Sequence, residues 1–426
     1  MFGRGFPLEA LTFRLTEISP AAAMAGKVRS ECPPVAVDPA SPAARADALA
    51  PANARADAAL RVVSREDAAT PDFLRRWNAL AFGCLQPNPF YESWYLLPSL
   101  RHLDAGGDVQ LLALEKQGEL IGLLPVLQNR NYYSYPLPHW QNWVHANCFL
   151  GQPLVARGEE HTFWHALFAW ADGAASAPLF LHLQHMPLRG ALHRALITKV
   201  GTRPAGTVWQ AQRAMLQSDL SPGDYLDASL ATKKRKELRR QHRRLAEEGT
   251  LEVVREENGD GIARWSDQFL ALEQRGWKGR AGSALASEER LAKLFADVLQ
   301  GAADHCRLER LALLLDGKPI AMLASFITPP GAFSYKTAFD EDYARFSPGV
   351  LLQRENLSLL ERADIDWTDS CAVEDHAMID HFWREKRAIA SHSIGIGGTA
   401  RRALFRLLLR REFRNHDPSL LPGDPA

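Results

Sequence analysis

The segment FSYKTAFDEDYARFSPGVLLQREN (333–356) gathers more residues able to do chemistry than any other stretch of the 426-residue chain. Its apolar alternation predicts a strand ending near Asp340, then a loop, then a helix opening after Ser347-Pro348-Gly349. Ser suits a cap, Pro a first helical turn, and Gly lets backbone approach a ligand. Free N–H groups and the positive end of the helix dipole would make an anion site suited to a pyrophosphate. The same residue types also suit an ordinary capped helix. Strand alternation puts Phe333, Tyr335, Thr337 and Phe339 on one face and Ser334, Lys336, Ala338 and Asp340 on the other. On that second face Lys336 would have room beside a ligand and could stabilise charge on a tetrahedral intermediate. The alternative is a solvated lysine paired loosely with Asp340.

WTDSCAVEDH (367–376) sets Asp369, Ser370 and Cys371 at the end of a buried strand, with Asp375 and His376 opening a further helix. Asp369 has the chemistry to orient an amine or act as base. Cys371 would accept an acyl group only if its pKa were depressed, and a buried cysteine is ordinarily inert packing. No G-x-S-x-G elbow supports a serine hydrolase.

KKRKELRRQHRRLAEEG (233–249) is a local concentration of positive charge. A helix over 230–248 puts Lys236, Arg240 and Arg244 in one i, i+4 stripe, and Leu238 and Leu245 in a narrow apolar seam. Like charges at this density cost stability unless something anionic faces them, so a phosphate-facing helix is favoured over a solvated one. ALFRLLLRREFR (403–414) is a second basic amphipathic helix, with Leu404, Leu407 and Leu408 on one side; it either packs on its own domain or docks on a membrane surface. HSIGIGG (392–398) reads as a turn.

These residues need a scaffold. Helices are predicted over 72–82, 160–172, 188–199, 265–277, 350–363 and 375–388, and strands over 177–186, 207–216, 331–340 and 364–371, with a last strand at ASHSIG. Hairpins turn at Gln117-Gly118 and Asp316-Gly317. Leu114, Gly118, Ile121 and Leu124 are spaced as are Leu313, Gly317, Ile320 and Leu323, and the element order repeats, which predicts an internal duplication. Residues 1–58 are Ala- and Pro-rich and predict a disordered extension. The resulting boundaries are a first lobe at 59–228, a second, catalytic lobe at 229–415, and a flexible tail at 416–426.

Fifty basic and fifty acidic residues balance, which argues against a dedicated nucleic-acid protein but not against a local phosphate site. No Cys-x-x-Cys or Cys/His cluster supports a metal centre. No apolar run nears bilayer length. A cytoplasmic protein is expected, with peripheral contact to an inner membrane left open.

KKRKELRRQHRRLAEEG, LEQRGWKGRAGSAL (272–285), YKTAFDEDYARFSPGVLL and DSCAVEDHAMIDHFWREKR together resemble the CelD/BcsL-type acyltransferases, a GNAT-related family similar to the FemAB aminoacyl-transferases. The resemblance implies a mixed α/β (α+β) fold of two tandem GNAT-like lobes and acyl transfer from an acyl-CoA to an amine or hydroxyl, in cellulose or exopolysaccharide synthesis. It sets Ser347-Pro348-Gly349 at the donor phosphates and Lys336 and Asp340 near the cleft; together with the residue reading this gives Lys336, Asp340 and Asp369 as catalytic candidates and Arg345, Ser347, Gly349 and Val350 as donor-binding ones. Arg240, Arg244, Trp277 and Lys278 would meet a phosphate-bearing acceptor. No metal is implied. The glycine phosphate loop of typical GNAT enzymes is degenerate here, so a tRNA-borne donor on the FemAB pattern stays open, as does a non-catalytic accessory role.

Overall fold

Both hairpins form as their turn residues dictate. In the computed structural model Gln117 and Gly118 take φ of 53° and 83°, and Asp316 and Gly317 take 49° and 73°, the left-handed pair that a two-residue turn requires. The structure describes residues 58–413, apart from 134, 175, 176 and 377, together with residue 420. The Ala/Pro-rich extension (but for Ala58) and the tail (but for Leu420) lie outside the described residues. Among these no helix is long and apolar enough to cross a membrane.

The strands are β1 (Ala58–Val63), β2 (Gln110–Lys116), β3 (Glu119–Asn129), β4 (His139–Asn142), β5 (Leu154–Val155), β6 (Phe180–Pro187), β7 (Ala205–Leu216), β8 (Leu251–Glu256), β9 (Leu308–Leu315), β10 (Lys318–Thr328), β11 (Gly331–Phe339), β12 (Trp367–Asp369) and β13 (Glu385–Gly395). They form one 13-stranded sheet in the order β1-β2-β3-β4-β6-β13-β7-β12-β11-β10-β9-β8, with β5 beside β3. The two halves repeat in detail. Hairpin β2–β3 skips Ile121 in its register and hairpin β9–β10 skips Ile320, residues already matched by sequence spacing. Each half then adds a parallel pair, β4–β6 and β11–β12. The chain is a mixed α/β protein of two tandem GNAT-like halves.

The last strands are exchanged. β13, counted by sequence with the second lobe, lies antiparallel between β6 and β7, and β7 of the first lobe pairs with β12 of the second. The sheet therefore runs unbroken across the division at 228/229. Helices Ser93–Leu103 and Glu289–Asp304, which sequence patterning did not pick out, pack on each other and join the halves on one side of the sheet; His102 of the first meets Asp297 of the second at 2.8 Å.

Alternate residues of β9 and β10 divide the second half into two layers. Ala312, Met322 and Ala324 join Phe269, Leu272 and Phe295 of the helices Ile262–Arg275 and Glu289–Asp304. Leu311, Leu313 and Leu323 join Leu238 and Leu245 of the basic helix Thr232–Glu247 and Leu351 and Leu352 of the helix Pro348–Asn356.

Two expectations fail here. The helix expected over 375–388 does not form: the described residues of 375–384 are turns and irregular chain and 385–388 open β13, because Ile379, Phe382 and Trp383 turn into the second layer and Tyr225 donates to Glu385 at 2.6 Å. HSIGIGG is not a turn through its length: His392 to Ile394 are β13 strand residues paired on both sides, and Gly395 pairs with Phe180 of β6.

Candidate active site

β11 and β12 pair in parallel for three residues only, Gly331–Phe333 against Trp367–Asp369. Beyond Phe333, β11 continues to Phe339 with no strand on that side among the described residues, so the sheet splays and leaves a run of edge backbone groups without a strand partner. In the first half the corresponding splay after β4 is closed. The Asn142 amide donates to Gly151 O (2.8 Å) and Gln184 O (2.9 Å) and accepts from Gln184 N (2.7 Å). A Cβ at Gly151 would lie 2.0 Å from Gln184 O, so the backbones meet where a larger residue could not stand.

Lys336 lies beside the open splay, on a face that plain alternation does not give. Ala324 faces Lys336 but Ser325 faces Ser334, so Tyr335 is an extra residue, a bulge that re-aims the residues after it. Ser334 then accepts from Asn356 (3.3 Å) and Phe339 packs beside Gly349, both toward the helix Pro348–Asn356, whereas Lys336 shares the other layer with Tyr335. Its ammonium lies 5.1 Å from the Phe149 ring and 5.6 Å from that of Tyr335, geometry for cation–π attraction. Among the described residues it has no hydrogen-bond or ion-pair partner. Burial pushes its pKa down to about 8, aided by the charge of Lys278 and opposed by Glu273 and Cys371.

Lys278 is held near it by local geometry. Gly279 packs where a Cβ would come within 1.8 Å of Gln274 O, folding the Gly-Trp-Lys-Gly turn back on its helix. Lys278 then donates to the buried Glu273 at 2.7 Å, which also accepts from Leu285 N at 2.8 Å. Trp277 stands at the rim, 54% exposed. The first half contributes residues that sequence reasoning missed. Phe149 lies under Lys336, and His145 stacks on Tyr95, whose hydroxyl is 3.3 Å from that of Tyr335. Burial, with Lys336 adding to it, pushes the pKa of His145 to about 3, so this ring is neutral. The one local signal was a histidine among aromatics in WVHANCF. Burial, opposed by Asp380 and aided by Lys278, also pushes the pKa of His376 down, and its Nδ1 is buried with no partner among the described residues.

The other predicted residues make no hydrogen bond or ion pair with Lys336 among the described residues. Asp340 sits at the far end of β11, accepts from Asp342 N (3.1 Å) and faces Arg275 at 3.5 Å. Asp369 is fully buried between Arg213 (3.3 Å) and Arg387 (3.0 Å) and accepts from Cys371 N at 2.8 Å. Cys371 has its thiol pKa pushed well up by burial, the opposite of what an acyl acceptor needs. Ser347, φ 53°, makes no side-chain cap, contrary to the cap read from its type. Gly349 is buried, and a Cβ there would lie 2.7 Å from Met378 Sδ. Arg345 pairs with Glu248 at 2.9 Å. A small cleft between Val350, Met378, Lys234 and Gln241 lies in the basic-helix layer, on the opposite face of the sheet from Lys336. Arg240 pairs with Glu237, and Arg244 is exposed in the same layer.

Residues 232–376, which carry Lys278, Lys336, the splay and the basic helix, match the family model described as an acetyltransferase (GNAT) domain. The chain is an acyltransferase. A conserved protein of unknown function from Bacteroides thetaiotaomicron shares the fold, at 12% identity and TM-score 0.50 over 75% of this chain and 97% of that one. The C-terminal domain of a putative lysylphosphatidylglycerol synthetase from Agrobacterium fabrum aligns at 15% identity and TM-score 0.48 over 79% and 95%. FemX aligns at 9% and 0.48 over 79% and 98%. No curated protein matches the sequence.

Proposed function

We propose that the chain moves an acyl group from a thioester to an amine or hydroxyl at the β11/β12 splay, with Lys336 holding charge on the tetrahedral intermediate. The observation that carries this is an unpaired, partly desolvated ammonium beside an unpaired strand edge. An acceptor amine attacks the thioester carbonyl, a C–N bond forms, and the carbonyl oxygen takes negative charge opposite Lys336. Collapse breaks the C–S bond, and the proton lost by the amine passes through the neutral imidazole of His376 to the departing thiolate. The free edge of β11 offers N–H and C=O groups to an extended, amide-bearing donor arm, which suits an acyl-CoA. Arg345, Ser347, Gly349 and Val350 then lie on the donor side of the sheet, and Lys278 and Trp277 on the acceptor side.

The CelD/BcsL-like motifs favour a sugar or lipid precursor of an exported polymer as acceptor, and the exposed basic helix, in the same layer as Val350, favours a donor that carries phosphate, as an acyl-CoA does. Lys336→Ala should lower kcat about 10²–10³-fold, as loss of one oxyanion donor does, with no fall in Tm. The assay is thiol release from acetyl-CoA and longer acyl-CoAs. Retained turnover would remove Lys336 from the chemistry. Thermal stabilisation by charged tRNA but by no acyl-CoA would replace the donor.

A further inference from the structure

The helix Thr399–Phe413 presents the wrong face to water for a helix that only packs on its own domain. Its inner side is fixed: Phe405 and Leu409 are buried, with Phe405 stacked on Phe180 at 4.9 Å, and Arg402 is tied to Asp172 at 2.9 Å. This is not the leucine side read from the sequence. Leu404 and Leu407 point outward, 48% and 62% exposed. Arg406, Arg410 and Arg411 flank them, exposed and with no carboxylate partner among the described residues.

A second exposed apolar feature is locked beside it. Tyr132 donates to Glu412 at 3.0 Å and packs on Phe180 at 5.1 Å. This holds the neighbouring Tyr133 and Tyr135, 73% and 49% exposed, by the end of the helix, with exposed Arg130 at the base of the loop. Aliphatic side chains at the centre, aromatic rings at the edge and arginines around them match the headgroup boundary of a bilayer, where rings and guanidinium stems straddle the polar and apolar layers. A nucleic acid would use the arginines but leave the leucines in water. The charge selects an anionic surface.

We propose that this face, the outer side of Thr399–Phe413 with the tyrosine loop, docks the protein on an anionic phospholipid membrane. The full chain should co-sediment with phosphatidylcholine vesicles containing about a third phosphatidylglycerol at least tenfold more strongly than with phosphatidylcholine alone, and the difference should shrink with salt. Leu404→Ser with Leu407→Ser should weaken partitioning about tenfold, and Arg406→Glu with Arg410→Glu by as much, with Tm unchanged because all four side chains are already exposed. Lys233→Glu with Lys236→Glu, on the other basic helix, should change partitioning less than twofold. The proposal is overturned if neither vesicle binds the chain, if binding ignores phosphatidylglycerol or the leucine pair, or if the basic-helix variant abolishes it.

Discussion

At neutral pH Lys336 is mostly charged, and only about a unit of pH separates it from losing that charge. A pKa near 8 makes a direct prediction: kcat/KM should fall as pH rises through about 8, because the protonated form holds the oxyanion, whereas an ordinary lysine would lose no charge until near 10.4. Lys336→Arg, which does not titrate in this range, should remove that limb; an unchanged profile would assign the ionisation elsewhere. Asp369 makes a different kind of prediction. It supplies one negative charge between two buried guanidiniums, so Asp369→Ala should cost about 3–5 kcal/mol of stability, read as a lowered urea midpoint. An unmoved midpoint would mean that the arginines find other partners. Sequence alone singled out Lys336 but gave its face wrongly, because a bulge at Tyr335 is decided by the register with β10 and leaves no mark in local alternation. Phe149 and His145 were equally out of reach, since only the folded sheet brings the first half over the second.

Among elements, the hairpins were legible down to their matched isoleucines, because turn chemistry and cross-strand packing are local. Residues 375–384 were not: their amphipathic spacing suits a helix, but burying Ile379, Phe382 and Trp383 while pairing the next eleven residues as β13 outweighs a single marginal helix. The basic helix formed as expected, and its buried side is Glu237, Leu238, Gln241 and Leu245, which leaves Lys233, Lys236, Arg240, Arg243 and Arg244 facing outward. The phosphates of the donor would meet them across water, where each charge contributes up to about 1 kcal/mol. Arg240→Glu with Arg244→Glu should therefore raise the acyl-CoA KM roughly tenfold, more at low salt, and leave kcat within about twofold. Unchanged kinetics would make this a solvated helix. The Asn142 clamp closes the first half's splay, so the proposed donor entry is the open β11/β12 splay, beside which the first half supplies Phe149 and His145.

The exchange of last strands carries one sheet through both halves, and histidines line the exchanged seam. His182 of β6 contacts Ser393 Oγ of β13 at 3.0 Å, and His392 of β13 contacts Thr207 Oγ1 of β7 at 3.0 Å. His193, 5.4 Å from His392 ring to ring, has both ring nitrogens buried with no partner among the described residues. Burial pushes His182 and His392 to about 3 and His193 to about 4. Each is neutral in the fold, whereas in the unfolded chain each titrates near 6.5. Above that pH they impose no penalty. As pH falls below it the unfolded chain takes up protons that the fold refuses, and stability drops until the folded values are reached. At pH 5 the cost is about 2 kcal/mol per histidine, so that the three together approach a typical net stability of about 5–15 kcal/mol. Tm should thus fall steeply between pH 7 and pH 5. His193→Leu, which removes one of these groups and two unpaired nitrogens, should reduce that fall relative to the wild type. Parallel Tm profiles for the two proteins would show that acid acts elsewhere than at the seam where β13 enters the first half.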